Sequence, residues 1–176
     1  DSHVLMSYYD ETDTALKISH CRTLDCATVT RIVGDNNGDV GTHSSLAIGM
    51  DGFGIVSYYD ASNTALKVSH CRNVSCSSVD TPVTLDSVGT VGEYTSITIN
   101  HEGMPLISYY DRTNGNLKLA RCVDAVCSSA ELSSLDVQGD VGAYSSISIG
   151  MDGLPLIAYF DVSNTNLKVI HCENKF

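Results

Sequence analysis

The residues of this chain with the most definite chemistry are its seven cysteines. Six of them form three C-x4-C pairs, which are Cys21/Cys26, Cys71/Cys76 and Cys122/Cys127. A structural zinc site needs four ligands close together, whereas each pair offers only two, so the spacing favours three local disulfides. Disulfides indicate an oxidising compartment, and we therefore predict a secreted, extracellular or cell-surface protein. Cys172 occupies the first position of a fourth pair and is predicted to be unpaired or intermolecular.

Oxygen-bearing side chains cluster in several turns, where they could hold a hard cation. Residues 10–13 and 35–39 alternate acids with polar residues, loosely as calcium loops do. However, later repeats replace aspartate by asparagine, and no bidentate glutamate follows at a fixed spacing. Ordinary turn formation therefore explains these segments better. Calcium remains a minor alternative with Asp35, Asn37 and Asp39 as its candidate ligands, and no other cofactor is predicted.

Catalytic residues are not indicated by any motif in the chain. There is no Ser-His-Asp elbow, phosphate loop or zinc-protease motif, so we predict that the protein is not an enzyme. Three histidines recur beside the cysteines, with Arg121 in the same register; they are His20, His70 and His171. Catalysis or metal binding would require them to converge, whereas one per repeat keeps them apart. Hydrogen bonding at strand ends is the better interpretation.

A Tyr-Tyr-Asp motif occurs four times, in residues 6–10 (MSYYD), 56–60 (VSYYD), 107–111 (ISYYD) and 157–161 (IAYFD). Tyrosine faces and carboxylates could line a sugar site. We favour the alternative, in which the tyrosines pack between sheets and each aspartate caps the following turn. The absence of tryptophan also weakens the sugar interpretation. We expect Tyr59→Ala to destabilise strongly, and Lys67→Ala to cost far less if its charge reaches solvent.

The fold follows from the period of this motif, because its final aspartates, Asp10, Asp60, Asp111 and Asp161, lie 50, 51 and 50 residues apart. Short apolar or alternating segments separated by turn residues indicate strands, and no apolar period of 3.6 residues indicates a helix. We predict an all-β fold of tandem four-stranded antiparallel meanders, arranged as propeller-type blades. The single domain, residues 1–176, then holds about three and a half repeats, approximately 3–52, 53–103, 104–153 and a partial 154–176.

The phase of the repeat predicts incomplete sheets at both ends. If a blade begins at the strand type that contains Tyr144, the four blades hold three, four, four and three strands. The first blade then lacks its first strand and the last blade lacks its fourth. Unpaired strand edges are templates for another chain. We therefore expect self-assembly through strand addition, with copies of the chain or flanking repeats as partners.

The strands predicted to lie innermost open with His43, Tyr94 and Tyr144. Because the innermost strands of a propeller face its channel, these residues are the best candidates for a ligand surface. A polar lining of a wet channel is the simpler alternative.

The overall composition excludes several functions. A net charge of -11 argues against nucleic acid and anionic lipid as partners. No run of about 18 apolar residues is present, so we predict no membrane insertion.

The repeats resemble those of secreted bacterial β-propeller-like repeat proteins, which carry a D-G-x-P-x-I-S-Y-Y-D segment followed by L-K-V-x-H-C. The matching segments are residues 66–71, 103–111 and 153–161, and the resemblance extends over essentially the whole chain. The chain departs from the pattern at Phe160 and Arg121 and lacks the last cysteine. The resemblance implies an extracellular β-repeat protein and assigns no activity.

Two functional hypotheses follow from the sequence. The first is an extracellular, non-enzymatic structural or adhesive protein that self-assembles through its incomplete terminal blades. The alternative is a lectin-like propeller that binds glycans through one shallow site per blade.

Overall fold

The fold is entirely β within residues 4–173, which are the residues described by the computed structural model. Four antiparallel sheets, termed blades 1 to 4, follow one another along the chain. Blade 1 holds β1 (Leu5–Asp10), β2 (Ala15–Cys21) and β3 (Val29–Asp35), and blade 2 holds β4 (Val40–Ile48), β5 (Gly54–Asp60), β6 (Ala65–His70) and β7 (Val83–Asp86). Blade 3 holds β8 (Val91–Ile99), β9 (Pro105–Asp111), β10 (Asn116–Cys122) and β11 (Ala130–Asp136), and blade 4 holds β12 (Val141–Ile149), β13 (Pro155–Asp161) and β14 (Asn166–His171).

Each blade is a simple meander, since neighbouring strands in the sheet are consecutive in the chain. The predicted strand numbers of three, four, four and three are found in these sheets. The blades begin about one strand before the repeat bounds drawn from the sequence, because the turn at residues 49–53 joins β4 to β5 within one sheet. No helix in residues 4–173 has the length and hydropathy needed to cross a membrane.

The core lies between successive blades. Blades 1, 2 and 3 each present a forward face, built around Leu16, Leu66 or Leu117, to a back face on the next blade. The back faces carry the first tyrosine of each motif, and Tyr58, Tyr109 and Tyr159 are almost completely buried there. Strands β1, β4, β8 and β12 pack in this order, and blades 1 and 4 share no extensive contact among the described residues. The four blades therefore form an open arc of stacked sheets.

A buried clasp of three side chains joins each pair of blades. In the first clasp, Asp35 at the end of β3 accepts hydrogen bonds from the Tyr58 hydroxyl at 2.7 Å and the Lys67 ammonium group at 2.5 Å. The same clasp recurs twice, as Asp86 with Tyr109 and Lys118 and as Asp136 with Tyr159 and Lys168. Lys67 is only 7% exposed. The sequence predicted a small cost for Lys67→Ala only if the lysine charge reached solvent. The buried position of Lys67 shows that the charge does not reach solvent.

The clasp also controls the ionisation of its aspartates. Burial alone would raise the pKa of Asp35. The hydrogen bonds from Lys67, the Asn37 amide and Tyr58 outweigh this effect and hold the pKa below its usual range. Asp86 and Asp136 show the same balance. The three carboxylates are therefore ionised at neutral pH.

The hairpins between the second and third strands of blade 1, and between the third and fourth strands of blades 2 and 3, are closed by disulfides. The bonded pairs are Cys21–Cys26, Cys71–Cys76 and Cys122–Cys127, as the spacing predicts. They indicate an oxidising environment. Cys172 is buried and has no disulfide partner among the described residues, and burial raises the pKa of its thiol.

The remaining recurrent polar residues stabilise turns and strand ends. Asp60 Oδ1 accepts the Asn63 amide, and the other motif aspartates act likewise. The His70 ring contacts Asp51 at 2.9 Å and Asp80 at 3.3 Å. His171 and Arg121 similarly contact nearby carboxylates, Asp152 and Glu131. These contacts are the strand-end roles expected from the sequence.

Candidate functional site

The inner strands of blades 2, 3 and 4 are β4, β8 and β12. Each of them is bent near its start by an irregularity in its pairing with the next strand. The second residue of each strand is a glycine with positive φ, and a non-glycine residue with positive φ follows two positions later. At Gly92 a side chain is sterically excluded, since a Cβ atom there would lie 2.6 Å from the Leu66 Cα. Bulges of this kind redirect a side chain relative to the regular alternation of a strand.

The residues placed by these bends are His43, Tyr94 and Tyr144, with φ angles of 55°, 54° and 54°. This left-handed conformation costs an ordinary L-residue about 1–2 kcal/mol. Its occurrence at the same position of three blades shows that the fold imposes it. These are also the three residues that the sequence identifies as the candidate ligand surface.

The three rings form one continuous group, termed the inner aromatic stack (His43, Tyr94 and Tyr144). Ring centroids of His43 and Tyr94 lie 4.4 Å apart, and those of Tyr94 and Tyr144 lie 4.2 Å apart. The second aromatic residue of each Tyr-Tyr-Asp motif stands beside it at 6.2–6.5 Å; these residues are Tyr59, Tyr110 and Phe160. Tyr59 and Tyr110 are only 8% and 7% exposed, so they support the stack from the core side. Tyr144 is 67% exposed.

A cleft of about 430 Å³ opens beside the stack, between blades 3 and 4. Its aromatic lining comes from both blades, and Glu93, Arg112 and Asp140 add polar groups; the aromatic residues are Tyr94, Tyr110, Tyr144 and Phe160. A second cleft, of about 370 Å³, lies between blades 1 and 2 near the Cys71–Cys76 disulfide. Its ring-bearing residue is His20, and its lining also includes Arg22 and Arg31. Of these two clefts, the first combines several aromatic surfaces with carboxylates.

Both carboxylates of the first cleft are engaged by donors. Arg112 donates to Glu93 at 3.1 Å, and the Glu93 side chain is 8% exposed whereas that of Arg112 is 64% exposed. The Tyr110 hydroxyl donates to Asp140 at 2.5 Å. Burial, followed by this hydrogen bond, raises the pKa of Tyr110. The cleft thus offers a fixed set of donors and acceptors at neutral pH.

Two rings of the stack have shifted pKa values that favour the uncharged form. Burial lowers the pKa of His43, although the Glu93 carboxylate opposes this change. A hydrogen bond with Tyr144, followed by burial, raises the pKa of Tyr94. His43 and Tyr94 therefore present uncharged aromatic surfaces at neutral pH.

The calcium candidates are occupied by donors from the chain itself. Asp35 belongs to the first clasp and also accepts the Asn37 amide at 3.0 Å. The Asp39 carboxylate accepts the Tyr9 hydroxyl at 2.8 Å. No group of three or more metal-ligating His, Cys, Asp or Glu side chains occurs between residues 4 and 173. The structure places Asp35 in an inter-blade contact, and Asn37 and Asp39 in the turn and the contacts beside it.

Sequence reasoning did not identify the polar residues of the cleft. Glu93 and Arg112 have no counterparts in the other repeats, so no periodic signal marked them. Asp140 has one counterpart, Asp39, which accepts the Tyr9 hydroxyl as Asp140 accepts that of Tyr110. The clasps did leave a signal, because Asp35, Asp86 and Asp136 recur at a fixed position. A lysine recurring within an otherwise apolar strand was the second sign of a buried ion pair.

Comparison with known proteins supports the fold class alone. No family model and no curated protein matches the chain. A protein of unknown function from Dyadobacter fermentans DSM 18053 matches 95% of this chain over 48% of its own, with a TM-score of 0.71 and 13% identity. An endo-arabinase from Bacteroides thetaiotaomicron VPI-5482 matches 99% of this chain over 75% of its own, with a TM-score of 0.52 and 11% identity.

A third similar structure is the sucrose-6-phosphate hydrolase from Lactobacillus gasseri, with a TM-score of 0.51 and 14% identity over 99% of this chain. This chain spans 45% of that enzyme and about half of the Dyadobacter protein. At these identities the matches define a propeller-like all-β architecture and transfer no activity.

Proposed function

We propose that this protein is an extracellular, non-enzymatic carbohydrate-binding module, whose ligand lies on the inner aromatic stack and in the adjoining cleft. The observation that carries the proposal is the inner aromatic stack, in which three rings lie side by side at an accessible surface. The left-handed backbone at His43, Tyr94 and Tyr144 places the rings there. The same backbone conformation occurs at turn residues such as Thr64 and Cys76, so the evidence for binding lies in the grouping of the rings.

The chemistry of the cleft fits a sugar. Aromatic faces contact the apolar face of a pyranose or furanose ring, while Arg112, Glu93 and Asp140 can hydrogen-bond its hydroxyl groups. Each carboxylate is already held by a donor, which supports binding rather than acid–base catalysis. Two of the similar structures are named as an endo-arabinase and a sucrose-6-phosphate hydrolase, which makes arabino-oligosaccharides and sucrose reasonable first probes.

This proposal reverses the order of the two hypotheses drawn from the sequence. The structural or adhesive hypothesis becomes the second candidate, and the observation that favours it is the incomplete sheet at each end. β1 has no counterpart of β4 beside it, and β14 has no counterpart of β7, among residues 4–173. Strand addition at these edges would produce an assembling protein without requiring a ligand.

The proposed site is tested by a glycan array followed by isothermal titration of the strongest hit. We expect Tyr144→Ala to weaken binding by about tenfold, since loss of a central aromatic contact typically costs about 1–2 kcal/mol. The matched control, Tyr144→Phe, keeps the ring and should bind within about threefold of the wild type, which is about 0.6 kcal/mol.

The proposal fails if no glycan binds, or if Tyr144→Ala binds a glycan as tightly as the wild type does. Native thermal unfolding of each variant would establish that the loss of binding does not come from unfolding.

A further inference from the structure

The forward face of blade 4 carries apolar side chains that no described residue covers. Leu156, Leu167 and Val169 are 42%, 75% and 54% exposed. Their counterparts in blade 3 are 0%, 0% and 1% exposed, because blade 4 packs on them; they are Leu106, Leu117 and Leu119. This exposed surface therefore carries the same kind of side chains as the inter-blade contacts, but no described blade packs on it.

The back face of blade 1 is the other half of such a contact. Met6 is 41% exposed, whereas its blade 2 counterpart Val56 is completely buried. Tyr8 is half-buried, whereas Tyr58 is completely buried in the equivalent position. Lys17, the counterpart of Lys67, contacts the exposed Asp13 at 2.5 Å within its own blade.

We propose that these two faces bind each other between two copies of this chain, with blade 4 of one copy packed on blade 1 of the other. The contact continues an interface that already occurs three times within the molecule. Because both halves lie on one chain, two copies joined head to tail can satisfy both faces in a closed ring.

This inference does not depend on carbohydrate binding, and it differs from strand addition. Strand addition joins edges through backbone hydrogen bonds, whereas the proposed contact joins faces through side chains. It also predicts a particular response to salt. The contact surface is apolar at Leu156, Leu167 and Val169, while each copy carries a net charge of -11. Salt screens the repulsion between the two copies without weakening apolar contact, so association should strengthen from low to physiological ionic strength.

The experiment is sedimentation equilibrium of the full chain across a wide dilution series, with Leu167→Asp as the test variant. We expect the wild type to reach twice the mass of one chain, and Leu167→Asp to weaken association by at least tenfold. The matched control is Val88→Asp, because Val88 is 79% exposed in the loop between blades 2 and 3, away from either terminal face. Val88→Asp should associate as the wild type does.

Two results would overturn the proposal. One is a wild type that has the mass of one chain at every concentration. The other is association unaffected by Leu167→Asp, which would leave strand addition as the mechanism. Leu167 pairs with Phe160, which lines the cleft, so glycan titration uses a second variant of the same face, Val169→Asp. The strand partner of Val169 is Ala158, which does not line the cleft, and Val169→Asp should weaken association while binding glycan as the wild type does.

Discussion

At the scale of single residues, the clasp is the feature that most clearly links the repeat to stability. A buried aspartate accepts hydrogen bonds from a tyrosine and a lysine of the next blade, and this occurs at three successive interfaces. A buried ion pair is weak evidence of net stabilisation by itself, because desolvation opposes its Coulomb energy. However, the three side chains of a clasp can meet only when neighbouring blades pack in one particular register.

Removing one charge of the central clasp should therefore be costly. Asp86→Asn leaves the Lys118 charge without its carboxylate, and loss of one partner from a buried pair costs about 3–5 kcal/mol. The free energy of unfolding, measured by urea denaturation, checks this. Asp13→Asn is the control, since Asp13 is exposed and its substitution should change stability by less than about 0.5 kcal/mol. Equal effects of the two substitutions would show that the clasp contributes nothing.

Residues with local roles could be predicted from the sequence, and residues with distant partners could not. The disulfides and the turn-capping aspartates bond within a few positions, so spacing revealed them. Tyr58 and Asp35 are 23 residues apart and meet only because one blade packs on the next. Burial of Lys67 likewise depends on that packing rather than on its own strand.

At the scale of the elements, the inner strands differ from the other strands in their bend. Alternation in the sequence predicts β8 and β12 but cannot reveal a left-handed residue inside them. The steric exclusion of a side chain at Gly92 depends on Leu66 of β6, which lies beside it only in the folded chain. The bounds of the blades likewise depend on which strands pair with one another. Sequence similarity between repeats gives the period but not the strand at which a sheet begins.

The left-handed backbone at Tyr144 allows two substitutions at this position to distinguish an effect on protein stability from an effect on glycan binding. Tyr144 has a φ angle of 54°. Glycine adopts this backbone conformation without steric strain, whereas alanine would be strained there as tyrosine is. We expect Tyr144→Gly to be more stable than Tyr144→Ala by about 1 kcal/mol, although both lose the ring and should bind glycan equally weakly. Urea denaturation and glycan titration of the two variants measure the two effects. A glycine variant that is the less stable of the two would show that the backbone strain at this position is negligible.

At the scale of the whole molecule, the four blades share a nearest-neighbour design, since within residues 4–173 each blade packs extensively only on the blades beside it. Stability in such arrays is approximately the sum of the blade and interface contributions. A perturbation that acts on every interface at once should then have a larger effect than any single substitution. Protonation of the three clasp aspartates is a perturbation of this kind.

We therefore expect stability to fall steeply in acid. Asp35, Asp86 and Asp136 have folded-state pKa values below the usual range, so the unfolded chain binds protons at a higher pH than the folded chain does. Their stabilising contribution is complete above an unfolded pKa of about 3.9 and is lost as pH falls through the lowered folded pKa. The pKa of Asp35 is lowered because Tyr58 and Lys67 donate hydrogen bonds to its carboxylate. A second carboxylate, that of Asp60, lies 3.6 Å from the same lysine.

Unfolding free energies measured from pH 6 down to pH 3 should decline mainly below about pH 4. Asp86→Asn should reduce the slope of this decline, because one of the three titrating carboxylates is gone. A slope unchanged by Asp86→Asn would mean that other carboxylates control the acid response.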